Sequence, residues 1–509
     1  FSIQDEVAFN IVENLDINIG SKDKKLVLTD PTTNTDAYDA ILRMKKDSYN
    51  ETTALKNIEE INKILKNDPT YADALAFRGA LNIYYFMNAG LRLQPYTAEN
   101  KKFVEQAITD AENALTYDPL NLIALSTLPN AYIWSAIKTL DTSSKIFAAR
   151  KSLVSINNLK NAYPDHYMTS LIIGVYHTMK DTHPLTMNPR DYEMATKFLT
   201  QTIVSVQKGI NNDISDPFLM FAYQGALELM IITEHKYSSF SEAIYFSDIA
   251  IDLLKNEYNI VELISVYFWS CQPKFMVGDY EGVIKDVTDQ QKLAGQLPQT
   301  FDIVYSRFIS SLLLAYTYVQ LGETELGLGI INQLDTTTTL FDNYWRAKPE
   351  YYGYLALSYY ESGDQEKGID YFNKNDQLIK SIYKNDRSKI TKSSDIHNRV
   401  ISWEILGQAC IAKHLVEKNE FSDAKRIIKD LEKNLSNISA IVSSMAIDIP
   451  YYLAIAHKGL NNYSEYERYM NIAYDEIMKI SSHLDDEHKE SYLNNVRRNR
   501  EIIAMKKNI

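Results

Sequence analysis

A short turn-and-cap signature recurs along the second half of this chain at nearly constant spacing, and it constrains the fold more than any other feature. Three strong copies each end one apolar helix-like stretch and open another, and their first residues lie 44 and 41 positions apart: Gly278-Asp279-Tyr280, Gly322-Glu323-Thr324 and Gly363-Asp364-Gln365. Weaker copies are Lys236-Tyr237-Ser238, Asn419-Glu420-Phe421 and Asn461-Asn462-Tyr463. A fixed period of roughly 20–50 residues is typical of a solenoid, in which each unit buries its apolar face only against its neighbours.

The first half of the chain repeats the pattern less regularly. Asp68-Pro69 and Asp118-Pro119 each follow a stretch with helical spacing of apolar residues. Proline cannot continue a helix and restricts the residue before it, so it separates one predicted helix from the next. Alternating β-branched runs bounded by Asn-Gly or Asp-Gly do not occur in the sequence, which therefore predicts an all-α chain.

Four segments follow from this organisation. We expect a terminal helix and connector of a preceding module at 1–35, irregular repeats at 36–235, regular repeats at 236–382, and further repeats with a capping helix at 383–509. The capping helix is predicted at about Asp485–Lys507, because a terminal repeat needs a polar outer face. Its basic residues are interpreted as a solvated surface: Arg497, Arg498, Arg500, Lys506 and Lys507.

Net charge argues against a nucleic-acid partner, and the length of the apolar runs argues against a membrane span. The formal net charge is −13, and contacts to phosphate need clustered lysine and arginine, so we expect no nucleic-acid partner through this region. No apolar run reaches the ~18 residues that a membrane-spanning helix requires, so we expect no membrane span in this chain. The sequence leaves the compartment open between the cytoplasm and the periplasm of a bacterium.

The repeat pattern resembles the tetratricopeptide repeat. Asp68-Pro69 followed by Tyr71-Ala72-Asp73-Ala74 is similar to the junction between two such repeats, and Tyr359 to Asp364 with Gly368 is similar to the centre of another. The usual period of about 34 residues is lengthened here, as in some superhelical sensor domains. The resemblance implies a right-handed α-solenoid of lengthened tetratricopeptide-like helical hairpins.

A second resemblance suggests a biological setting. Phe1, Gln4-Asp5-Glu6-Val7-Ala8 and Ile11, followed by Ala37-Tyr38 and Leu42, resemble a junction in bacterial signalling proteins where a TolB-like or FlgO-like module precedes a tetratricopeptide array. Such proteins carry a class III nucleotide cyclase, a CadC-type winged-helix domain or a protein kinase before that junction. The resemblance implies a sensory or protein-interaction region that binds a peptide, partner domain or small ligand in a concave groove.

A second function class, an exported binding protein, is also compatible with the sequence. Ala76, Arg78-Gly79-Ala80-Leu81 and Tyr84-Tyr85-Phe86 resemble exported glycan- or nutrient-binding lipoproteins of the SusD type, which also embed tetratricopeptide-like helices. Those proteins have loop-rich insertions and a C-terminal region dense in Gly, Trp and Asn, whereas this chain ends in regular helical patterns. The signalling interpretation is therefore preferred.

The sequence carries none of the common motifs that indicate a catalytic site. No Gly-rich phosphate loop, G-x-S-x-G motif or H-E-x-x-H pair is present in the sequence. His483 and His488 are five residues apart and diverge by roughly 140° around a helix, which favours a solvated face over a zinc site. We predict a non-enzymatic binding or scaffold module with no catalytic residue, no cofactor and no metal.

Clustered aromatic residues are the best candidates for contact with a partner. They lie in or beside predicted first helices, and adjacent rings point about 100° apart, so one ring of each cluster packs inside while another can face the groove. Trp345 follows a polar loop and precedes a basic stretch, and aromatic and arginine side chains often dominate binding interfaces. The predicted contact residues are Tyr85, Trp134, Trp269, Trp345, Arg346 and Tyr352.

Overall fold

The computed structural model describes residues 32, 34–46, 51–88, 98–139, 141–180, 189–211, 219–257, 260–297, 299, 301–334, 347–383, 395–435 and 443–507. The predicted connector at 1–35 lies almost wholly outside these residues, and so do Trp345 and Arg346. None of the helices described below combines the length and the apolar character that crossing a lipid bilayer requires.

Every regular element among the described residues is helical, and the all-α prediction is confirmed. The helices are α1 (Thr35–Lys46), α2 (Glu51–Asn67), α3 (Ala72–Asn88), α4 (Ala98–Tyr117), α5 (Leu122–Lys138), α6 (Thr142–Ala162), α7 (Tyr167–Lys180), α8 (Pro189–Asn211), α9 (Leu219–Tyr237), α10 (Phe240–Glu257), α11 (Ile260–Val277), α12 (Tyr280–Ala294), α13 (Phe301–Gln320), α14 (Thr324–Asn332), α15 (Ala347–Glu361), α16 (Gln365–Tyr383), α17 (Asp395–Glu417), α18 (Phe421–Leu435), α19 (Ser443–Ala446), α20 (Asp448–Gly459), α21 (Tyr463–Ser481), α22 (Asp486–Asn494) and α23 (Arg497–Lys506).

The chain divides into two compact units, which are described separately. The first unit comprises residues 1–88, 97–134 and 149–164, and the second comprises residues 89–96, 135–148 and 165–509. In the first unit the buried Asp110 carboxylate accepts two hydrogen bonds from Arg78, at 2.6 and 2.8 Å, and this pair ties α3 to α4. A bidentate arginine–carboxylate pair fixes both distance and orientation, so it sets the packing of these two helices.

In the second unit, helices pair as hairpins and the hairpins stack in order along the chain. Helix α9 contacts α10, α11 contacts α12, α13 contacts α14, and α15 contacts α16. The first helices of successive hairpins also contact each other in the order α9, α11, α13, α15, α17 and α20. Each hairpin therefore buries its apolar faces against its neighbours, which is the arrangement of a solenoid.

The recurrent turn signature occupies the turns inside these hairpins. Among the described residues, those with positive φ are the six at the centres of the predicted turns: Ser238, Gly278, Gly322, Gly363, Asn419 and Asn461. At Gly278, where φ is 79°, the next residue closes the turn by donating its backbone N–H to the Lys274 carbonyl at 2.9 Å. Glycine and asparagine tolerate this left-handed conformation best, which explains why they recur at this period.

The end of the chain differs from the sequence-based prediction. The single capping helix predicted at Asp485–Lys507 is wrong, because the described chain forms α22 and α23 with a break at Asn495 and Val496. Val496 has extended backbone angles, φ −69° and ψ 109°, which no helix can accommodate. Tyr492 and Ile502, one in each helix, are 1% and 0% exposed and share an apolar core with Phe240 of α10.

Candidate functional site

A series of polar contacts in the second unit holds the C-terminal segment, a name used here for Ser482–Lys507. The His483 ring stacks on the Tyr237 ring with centroids 5.4 Å apart, and the Asp485 backbone N–H donates to the Ser241 hydroxyl at 3.1 Å. Tyr237 ends the first helix α9, and Ser241 begins α10. The C-terminal segment thus binds at hairpin turns that precede it by more than 200 residues.

Gly278 supports the next contact of the C-terminal segment. A Cβ atom added at Gly278 would lie 3.0 Å from the Asn495 Cβ and 3.2 Å from a Val496 methyl group, whereas one added at Gly363 would meet nothing within 4 Å. The turn between α11 and α12 therefore needs glycine both for its conformation and for the approach of the C-terminal segment.

We expect Gly278→Ala to destabilise the full chain more than Gly363→Ala. Both substitutions place a side chain at positive φ, which costs about 1–2 kcal/mol, but Gly278→Ala also forces a shift against Val496. Urea denaturation of the two variants beside the unsubstituted chain measures the difference. Equal losses for both variants would mean that the C-terminal segment does not rest on the Gly278 turn in solution.

Glu361 is the centre of the third contact. It is the last residue of α15, and its side chain is only 4% exposed. Arg498 and Arg497 donate to its two carboxylate oxygens at 2.6 Å each. The Tyr452 hydroxyl and the Gln320 amide donate to the same carboxylate at 2.8 Å each. Both oxygens of a buried acid are therefore held by four side chains from three other helices, α13, α20 and α23.

Arg498 is enclosed by a set of residues that we call the arginine pocket: Glu361, Asp448, Tyr451 and Tyr452. Its Nε atom donates to Asp448 at 2.7 Å. The guanidinium carbon lies 4.0 Å from the Tyr451 ring centroid and 4.7 Å from the Tyr452 ring centroid. The planar guanidinium is thus matched edge-on by carboxylates and face-on by aromatic rings, an arrangement that lysine cannot reproduce.

The electrostatics of the arginine pocket depend on the cation. Burial alone would raise the pKa of Glu361, but Arg498 and Arg497, with the hydrogen bonds from Gln320 and Tyr452, outweigh it and lower the pKa below its ordinary value. For Asp448 burial prevails, and the pKa of that carboxyl is raised despite the attraction of Arg498. Glu361 also ends a helix, where the backbone dipole favours a nearby positive charge. An arginine is therefore required to keep Glu361 ionised.

Two surface interpretations made from the sequence are wrong at this site. Arg498 is not solvated, since its side chain is 12% exposed and paired with acids, and Arg497 is 34% exposed beside Glu361. His483 is also not on a solvated face, because its ring stacks on Tyr237. Glu361 precedes Arg497 by 136 residues and Asp448 precedes Arg498 by 50 residues, so no local sequence pattern could indicate these pairs.

In the first unit the predicted contact residues pack against neighbouring rings. Tyr85 lies with its ring centroid 4.9 Å from that of Phe103. Trp134 packs edge-on against Phe86 at 5.9 Å and is 8% exposed. Each residue therefore presents only part of its ring to a partner.

In the second unit the predicted residues are half-buried. The Trp269 indole N–H donates to the Glu228 carboxylate at 3.0 Å, and the Ser265 hydroxyl donates to the same oxygen at 2.9 Å. Tyr352 stacks with Tyr371 at 6.3 Å between centroids. The structure places Trp269 on α11 and Tyr352 on α15, which are the first helices of their hairpins.

The hollow near Glu228 bears on the size of ligand that this face can hold. It lies between α9, α10 and α11, is lined by residues that include Leu227, Glu228 and Val266, and contains about 220 Å³ of non-atom space including open solvent. Because that figure counts open solvent, it does not describe an enclosed cavity of the kind that usually holds a small molecule.

The described residues include one group of side chains with the atoms and spacing to bind a metal ion. Glu432, His457 and Glu465 each place one ligand atom within 4.8 Å of the others. Arg468 already lies 2.6 Å from the Glu465 carboxylate and 3.8 Å from that of Glu432, and Tyr469 donates to Glu432 at 2.9 Å. Because arginine supplies the positive charge in this group, the arrangement is a complete ion-pair network by itself.

No protein-family model matches the chain, and no curated protein matches it. Among solved structures, the tetratricopeptide-repeat domain of P58(IPK) is 14% identical, with coverage of 80% of this chain and 95% of that chain and a TM-score of 0.21. Yeast Tom70 is 13% identical, with coverage of 90% and 96% and a TM-score of 0.29. A circular tandem repeat protein with novel repeat topology is 12% identical, with coverage of 93% and 99% and a TM-score of 0.16. These values are too low to transfer a ligand or a partner, so the fold and the site rest on the contacts described above.

Proposed function

We propose that this chain is a non-enzymatic protein-interaction scaffold whose stacked hairpins bind polypeptide segments of a partner protein. The observation that carries the proposal is the C-terminal segment itself. The turns and helix ends of the second unit hold this segment by ring stacking at Tyr237, backbone hydrogen bonding at Ser241 and charge pairing at Glu361. A surface that recognises a helical segment of its own chain has the chemistry to recognise one from another protein.

The predicted aromatic residues supply the second part of this proposal. We infer that Trp269 and Tyr352 contact the partner from the face of the first helices, with Trp345, Arg346, Tyr85 and Trp134 as further contacts. Half-buried tryptophan and tyrosine lose little conformational freedom on binding and bury a large area, which makes them effective in interfaces. Glu228 fixes the Trp269 indole by a hydrogen bond, so the ring is already oriented.

A peptide selection tests the scaffold proposal. A phage-displayed library of random peptides is panned on the immobilised full chain, and each selected peptide is titrated by fluorescence anisotropy. We expect saturable binding that Trp269→Ala weakens by about tenfold or more. The matched control is Tyr245→Ala on the second helix α10, because Tyr245 is 61% exposed and should leave binding unchanged. Recovery of no peptide that binds the correctly folded chain above background would contradict the proposal.

We also propose a setting for this scaffold, as the sensory or interaction region of a bacterial signalling or regulatory protein. The support is the resemblance at Phe1–Leu42, of which Thr35–Leu42 forms the start of α1 and residues 1–31 lie outside the described residues. Reading the coding sequence before Phe1 tests this part. A cyclase, kinase or winged-helix domain there would support it, whereas an export signal directly before Phe1 would contradict it.

A further inference from the structure

We infer that the arginine pocket is a receptor for an arginine of the partner protein, and that Arg498 of the C-terminal segment is its resident competitor. This inference rests on the proposed scaffold function and specifies the partner as a helical segment. That segment carries an arginine and an aliphatic residue four positions later, as Arg498 and Ile502 do on α23.

Glu361 and Asp448, the two acids of the arginine pocket, belong to the stacked hairpins, and Glu501 of the C-terminal segment accepts a further hydrogen bond from Arg498 at 2.6 Å. Gln320 of α13 and Tyr452 of α20 donate to the Glu361 carboxylate, and Tyr316 of α13 lies with its hydroxyl 3.3 Å from the same group. These contacts orient both carboxylate oxygens without the help of either arginine. The hairpins themselves therefore orient the Glu361 carboxylate to receive a guanidinium group.

Removing the cation from the arginine pocket is energetically unfavourable, because it leaves buried acids without a counter-charge. The occupant must therefore carry a positive charge. Arg498 pairs with both Glu361 at 2.6 Å and Asp448 at 2.7 Å, and the negative charge of Glu361 contributes, after burial, to the raised pKa of Asp448. A buried acid that loses its cation is strongly disfavoured, so the pocket binds a replacement cation or recloses on Arg498. The rings of Tyr451 and Tyr452 select a flat guanidinium over an ammonium group.

The rest of the C-terminal segment defines the shape of the partner. Tyr492 and Ile502 are buried in the apolar core that also includes Tyr451 and Tyr452 of the arginine pocket, and Ile502 lies one helical turn after Arg498. Residues of the segment that point away are polar and exposed, among them Arg500 and Asn494. The fitting partner is thus an amphipathic helix, recognised through residues at helical spacing.

The test uses the full chain and a synthetic peptide of residues 486–507 of this chain as the probe. The unsubstituted chain should bind the peptide weakly, because its own segment competes at a high effective concentration. A full-chain variant with Arg497→Ala and Arg498→Ala should bind it about tenfold or more tightly, and a peptide carrying Arg498→Lys should lose that gain. Adding Glu361→Gln to the variant should remove the preference for the arginine peptide.

A second variant keeps the test decisive if the double arginine substitution unfolds the chain. His483→Ala with Ser241→Ala loosens the other end of the C-terminal segment and leaves the arginine pocket intact. It should bind the unsubstituted peptide more tightly than the unsubstituted chain does, with a smaller gain than the double arginine variant because Arg498 still competes, and with the same preference for arginine over lysine. Equal affinity for both peptides in a folded variant would overturn the inference. If library-selected peptides still bind in that case the scaffold proposal stands, and if they do not, both proposals fail.

Discussion

Glu361→Ala should lower the free energy of unfolding of the full chain by about 3–5 kcal/mol, the largest effect that we expect of a single substitution in the charged site. The substitution removes one of the three carboxylates that pair with Arg498, which keeps Asp448 and Glu501, and it removes the acceptor that lies 2.6 Å from Arg497. It also leaves the buried donors of Gln320 and Tyr452 without their acceptor, which is more costly than the loss of an ion pair at a surface. Chemical denaturation followed by far-ultraviolet circular dichroism measures the change.

A surface ion pair provides the matched control for this prediction. Asp423→Ala removes the partner of Arg426, and the two side chains are 56% and 69% exposed, so the loss should stay below about 1 kcal/mol. Hydrogen exchange adds a second readout, because protection of the amides in α22 and α23 should fall in Glu361→Ala and persist in Asp423→Ala. A loss below about 1 kcal/mol for Glu361→Ala would show that the C-terminal segment is not anchored through its arginines.

Acid should weaken the same anchor. The pKa of Glu361 is lower in the folded chain than its ordinary value, so this pair stabilises the fold fully at neutral pH. The contribution is lost as the pH falls below the ordinary range of a glutamate and through the lowered pKa of Glu361. Neutral Glu361 no longer attracts Arg497 and Arg498, so we expect the C-terminal segment to lose hydrogen-exchange protection before the hairpins unfold.

The helices and turns of this fold could be predicted from the sequence because their determinants are local. A residue such as Gly363 or Asn461 must adopt positive φ to end one helix and begin the next, and that requirement acts within about six residues. The repeated spacing then indicates stacked hairpins. Because each turn depends on nearby residues only, the sequence indicates every turn position without any long-range contact.

The candidate site could not be predicted in the same way. Arg498 and Glu361 are 137 residues apart, and nothing in the neighbourhood of either residue indicates the other. Lysine and arginine side chains are usually exposed to solvent, so the sequence predicted exposure for Arg498, which the structure shows to be largely buried. A similar limit applies to Phe268 and Trp269, since the packing of α11 against its neighbours decides which ring is buried.

Stability should also depend on pH through Glu234, and this effect runs in the opposite direction from that of Glu361. Glu234 is 4% exposed near the end of α9, and burial, with a smaller contribution from the charge of Glu242, raises its pKa to about 7 despite hydrogen bonds from Tyr192 and Ser239. The folded chain therefore holds a proton on Glu234 that the unfolded chain releases near its ordinary value of 4.5. The corresponding stabilisation is complete below pH 4.5 and is lost as the pH rises to about 7.

Glu234→Gln isolates this contribution, because glutamine imitates the protonated acid in shape and hydrogen bonding. The variant should match the unsubstituted chain near pH 5 and exceed its free energy of unfolding at pH 8 by up to about 3 kcal/mol, the equivalent of the pKa shift. Denaturation at the two pH values measures the difference, with Glu242→Gln as the control of smaller effect. A variant that is destabilised equally at both pH values would show that Glu234 is ionised in the folded chain.

The aromatic stack of Tyr192, Tyr237 and His483 adjoins this acid. Ionisation of Glu234 would therefore act on the surface that holds the start of the C-terminal segment.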